Sequence, residues 1–118
     1  MRLHVDGRDV CAVEVADSRR TRRRGLLGRE GLDGALWLPR TRQVHSAGMR
    51  FPIDVAHLDR RGVVLRCTTM PPGRLGRPLL RARAVLEAEA GGFHLWGVTP
   101  GVQVTVAATH TGASPGPT

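Results

Sequence analysis

The sequence predicts a mainly β fold, a β-sandwich or partly open β-barrel of about seven or eight short strands with one or two short helices. Two observations carry that expectation. Apolar residues recur with a period of two in short runs, and Gly, Pro or Asp-Arg turns separate those runs. This pattern favours a sandwich or barrel over a doubly wound sheet.

In chain order, the strands are expected at 2–5, 9–16, 35–38, 43–45, 54–59, 63–69, 83–90 and 102–108. The last is the clearest, with Val102, Val104, Val106 and Ala108 sharing one face and Gln103 and Thr105 on the other. Asp6-Gly7 and the run Asp59 to Gly62 supply the Asp and Gly that tight hairpins need for left-handed backbone angles. Ser18 is placed to cap a helix running to Leu27, with Gly28 at its end, and a second short helix fits residues 92–97. Residues 71–78, PPGRLGRP, form a loop, because their prolines and glycines suit neither helix nor central strand. A single domain over 1–110 and a disordered tail over 111–118 complete the organisation.

The chain has 118 residues, enough for a modest core without metal or disulfide. Its net charge of +8 raises the question of nucleic acid, yet all eighteen basic residues are Arg, and Lys, Asn and Tyr are absent. That profile matches a GC-rich coding sequence, so the charge is partly compositional. The four aromatic rings (Trp37, Phe51, Phe93, Trp96) are too few for a base-stacking platform. Nucleic acid is therefore a minor candidate partner. Cys11 and Cys67 form no CxxC pair and read as free, buried thiols. The first ten residues lack an apolar leader core, and no window approaches the roughly 18 apolar residues of a membrane span. The expected location is the cytoplasm.

Two segments could carry chemistry. Arg19–Arg29 holds six arginines (Arg19, Arg20, Arg22, Arg23, Arg24, Arg29); a phosphate-docking helix is one reading and a solvated helix face the blander one. In residues 44–55, Gly48 permits a sharp bend and Pro52 holds Phe51 extended, leading into Asp54 at the mouth of an apolar strand. A carboxylate there normally accepts hydrogen bonds from loop amides, with a ligand-facing role as the alternative. His45 and Asp54 are the candidate acid–base residues. Arg24, Arg29, His45, Met49, Phe51, Asp54 and Trp96 are the candidate ligand-binding set. Nucleophile elbow, P-loop and dinucleotide-turn patterns are missing. The five histidines are scattered without metal-ligand spacing, so neither metal nor cofactor is expected, although barrel strands can gather His45, His57 and His94.

The residues 24–29 (RGLLGR), His45–Asp59 (HSAGMRFPIDVAHLD), 61–64 (RGVV) and 85–87 (VLE), with Gly91 and Gly97, resemble the DUF192 (UPF0127) family of small bacterial and archaeal proteins. The ordered match runs from about Arg8 to Ala107. This chain has Leu27 where the family usually has Met, and HSAGM in place of a tryptophan-containing version, as in an actinobacterial-type branch. The resemblance implies a compact β-rich fold with short flanking helices and no established reaction. The position of some relatives near pilus or secretion genes implies an accessory role in envelope, pilus or secretion systems. The expected function is a non-catalytic binding or assembly module for an unknown protein or small anionic ligand. The alternatives are a small enzyme or ligand-binding protein using His45 and Asp54, and nucleic-acid binding through Arg19–Arg29.

Overall fold

Asp6 and Gly7 turn the chain between β1 (Arg2–Val5) and β2 (Arg8–Val15), which pair antiparallel in the computed structural model. This structure describes residues 1–16 and 31–108. β3 (Ala35–Pro39) runs parallel to the end of β2, pairing only over Val13–Val15. β4 (Ile53–Leu58) and β5 (Val64–Met70) form an antiparallel hairpin, β6 (Ala84–Glu89) lies between β3 and β4, and β7 (Val104–Ala107) pairs with β1. The order across the sheet is β5-β4-β6-β3-β2-β1-β7. One short helix, α1 (Gly92–Trp96), follows β6.

The sheet curls, and its two edge strands meet at one corner without closing along their length. The Val64 N–H donates to the Val102 carbonyl at 2.9 Å and the Val104 N–H donates to the Gly62 carbonyl at 2.8 Å. Gly62 is required there twice over. Its φ is +80°, and a Cβ would lie 2.3 Å from the Val104 carbonyl oxygen. Asp59 shapes the same turn by accepting from the Arg61 and Val63 N–H groups. A mainly β, partly open barrel is the result.

Period-two alternation divides the apolar side chains into two cores. Leu3, Val5, Ala56, Leu58, Leu86 and Val104 fill the inside of the curl, and Phe93 of α1 joins them. Leu36, Leu38, Ile53, Val55 and Val85 point to the other face, with Val44, Met49 and Phe51 packed in the same cluster. β4 is consequently buried at all six positions.

Seven of the eight expected strands form, with ends shifted by a residue or two. The exception is 43–45: only His45 makes a β-bridge, to Leu75, because the 71–76 loop offers a single paired position there. Buried Ser46 ties the two segments together, accepting from the Arg74 N–H and donating to the Pro71 carbonyl. Cys11 and Cys67 are free but half-buried rather than fully buried, since both pack at the margin of the inner core. The expected Ser18–Leu27 helix and the tail from Thr111 lie outside the described residues.

Candidate functional site

Asp54 enters β4 with its side chain on the inner-core face, 6 % exposed. Its Oδ1 accepts from the Thr69 hydroxyl at 2.8 Å on the neighbouring strand. Its Oδ2 accepts from the Gly91 N–H at 2.9 Å and the Phe93 N–H at 3.2 Å. The first turn of α1 has no side-chain cap of its own, so a carboxylate 37 residues upstream supplies one. Three donors occupy both oxygens.

The other candidates separate in space. His45 is exposed on the far side of the Ser46 tie, while Met49 and Phe51 are buried in the outer-face core. Trp96 packs against the inner core and stacks obliquely on Phe93, with ring centroids 6.4 Å apart. The 44–52 bend and Trp96 therefore do not line one surface. Arg24 and Arg29 lie outside the described residues. Of the three histidines that strands might gather, His57 is buried on β4, whereas His45 and His94 are exposed. Among the described residues no group of three His, Cys, Asp or Glu is arranged to hold a metal.

Trp96 instead lines an open groove of about 730 Å³. Val10, Cys11 and Ala12 of β2 form one wall, and Ala90, Gly92, Leu95 and Trp96 form the other. Leu32, Asp33 and Gly34 cross the end of the groove. It exists because β3 starts late: among the described residues, no strand pairs with the Arg8–Ala12 half of β2 on the side away from β1. Leu95 stands 80 % exposed at the rim. Charge at this groove is mixed, with Arg2 held by Asp9 in an exposed ion pair of 2.7 Å and Asp33 and Glu89 close by. Burial pushes the Cys11 thiol up to about 11, which keeps it protonated at neutral pH.

Sequence reasoning missed a second polar feature on the outer face of β4, β5 and β6. Among the described residues, the buried side-chain nitrogen and oxygen atoms without a hydrogen-bond partner are His57 Nδ1, Arg66 Nε and Glu87 Oε1. Pairing places all three on one face: His57 is opposite Arg66, and Glu87 is opposite Val55. A Glu inside the otherwise apolar run from Ala84 to Ala88 was the available signal. Burial pushes that carboxyl up to about 7.

Two solved structures share the fold. A protein of unknown function from Novosphingobium aromaticivorans DSM 12444 superposes with a TM-score of 0.75 at 21% identity, covering 90% of this chain and 84% of that one. A protein from Sinorhizobium meliloti 1021, described as a "putative transcription regulator", gives 0.75 at 23% identity, covering 88% and 91%. No curated protein matches the chain. The model of the family described as "DUF192: Uncharacterized ACR, COG1430" matches residues 1–106, nearly the whole barrel, and the chain accordingly belongs to the DUF192 family.

Proposed function

We propose that this single-domain DUF192 protein is a non-catalytic binding module that receives an extended peptide segment in the Trp96 groove. The carrying observation is the flank of β2 at Val10–Ala12, unpaired among the described residues, which faces the exposed Leu95 and half-buried Trp96 across a groove of about 730 Å³. An open strand flank supplies backbone donors and acceptors to an added strand, and the apolar wall supplies selectivity among side chains. The enzyme alternative is weakened by the use of Asp54 in capping α1 and by the placement of His45 elsewhere.

A peptide array probed with the wild type and with Leu95→Asp tests the reading. Leu95 touches little in the folded state, so the substitution should leave the circular dichroism spectrum unchanged while removing retained peptides. Identical retention by both proteins, or none by the wild type, would sink it.

Two finer parts belong to the same proposal. A cytoplasmic location is supported by the two free thiols, which suit a reducing compartment. An accessory role in envelope, pilus or secretion systems is an expectation added by the family resemblance alone, and cross-linking in intact cells would identify the neighbour.

A further inference from the structure

A second cavity, of about 230 Å³, lies between β4, β5 and the loop around Gly76 and Arg77, sharing no residue with the Trp96 groove. Val55 and Met70 give it apolar walls, and His57, Arg66, Thr68 and Arg77 give it polar ones. Its volume is below the roughly 300–1,000 Å³ of sites for drug-sized ligands and suits a small ion or a single functional group.

The polar atoms here are mostly donors. Arg66 Nη2 donates to the Arg77 carbonyl oxygen and lies 3.4 Å from His57 Nε2. A guanidinium has no acceptor, so Nε2 accepts and the neutral ring carries its proton on Nδ1. His57 is 2 % exposed, and among the described residues its Nδ1–H has no hydrogen-bond partner of ordinary geometry. Burial and then the Arg66 charge disfavour the imidazolium, with a smaller opposing pull from the Arg42 carbonyl. Among the described residues, the buried Arg66 Nε–H is also without a partner and no carboxylate lines the cavity. Arg66, Arg77 and Thr68 thus line a cavity to which no described residue contributes a carboxylate.

We propose that this cavity is a subsite for a small oxyanion, a carboxylate or phosphate group, received by the Arg66 Nε–H, the Arg77 guanidinium and the Thr68 hydroxyl. Charge-assisted hydrogen bonds from arginine to such groups are short and strong. The site is independent of the peptide reading, because its lining and its probes differ.

The test is an NMR titration of the His57 ring signals with sodium phosphate and, separately, sodium acetate, at pH 7 and constant ionic strength. The expected result is a saturable shift with at least one of the two anions; which one saturates tells phosphate from carboxylate. Arg66→Gln should abolish saturation, whereas Arg60→Gln, which removes the same charge from an exposed turn, should preserve it. Should Arg66→Gln fail to fold, Arg77→Gln takes its place, with affinity about tenfold weaker expected from one lost charged contact. Failure of both anions to saturate, or equal behaviour of the cavity variant and Arg60→Gln, overturns the proposal.

Discussion

At the scale of single residues, the buried carboxyls divide by how their oxygens are used. Asp54 is a structural cap, and removing it strands two backbone N–H groups and a hydroxyl. Asp54→Ala should therefore lower the unfolding free energy by about 1–3 kcal/mol in urea titration; an unchanged midpoint would refute the capping role. Glu87 behaves in the opposite sense. Its folded-state ionisation near 7 lies above the ordinary 4.5, so the native protein retains a proton that the unfolded chain releases. The stability it contributes is present below about pH 4.5 and is lost as pH rises to about 7. Across that window the wild type should lose about 3 kcal/mol of stability relative to Glu87→Gln, whose amide does not ionise, and a flat difference would show that folding does not raise the ionisation of this carboxyl. The loop-capping tendency of Asp54 was legible from its place at the start of an apolar strand. Its partners were not, because Gly91 and Phe93 are distant in sequence and only the curl of the sheet brings them near. The dispersal of Met49, Phe51 and Trp96 was equally hidden, since one-dimensional spacing does not say which side of a sheet a loop packs on.

At the scale of elements, alternation located seven strands because each has at least one face in an apolar core, and the Asp-Gly turns fixed the hairpins. The 43–45 segment misled because alternating residues there belong to a loop whose side chains dock on the outer core while its backbone makes one bridge. Strand order was beyond the sequence: β3 lies beside β2 in parallel and beside β6 antiparallel, a choice set by tertiary packing. The β4–β5 turn offers an element-level test. Gly62→Ala must place a methyl group against the Val104 carbonyl and adopt a left-handed φ, which should cost more than about 1 kcal/mol in a denaturant melt. A wild-type melting curve would mean that the corner contact contributes nothing. The 44–52 bend similarly turns on Gly48, whose φ is +81°.

At the scale of the molecule, every Lys-or-Arg charge is an arginine, and the described arginines are dispersed over strands, turns and loops. The expectation is that neither duplex DNA nor RNA is retarded in a gel at low salt, the condition that most favours counterion release. A shift that weakens steeply with salt would overturn this and turn attention to Arg19–Arg29. No described helix is long and apolar enough to cross a membrane. The pairing of β1 with β7 has a further consequence in time. The Asp6 carboxylate accepts from the Gln103 N–H, 97 residues later. At a synthesis rate of roughly 5–20 residues per second, β1 emerges from the ribosome many seconds before its outer partner exists. The nascent chain must carry a raw strand edge through that interval, and completing the barrel waits on nearly the last of the described residues to be made.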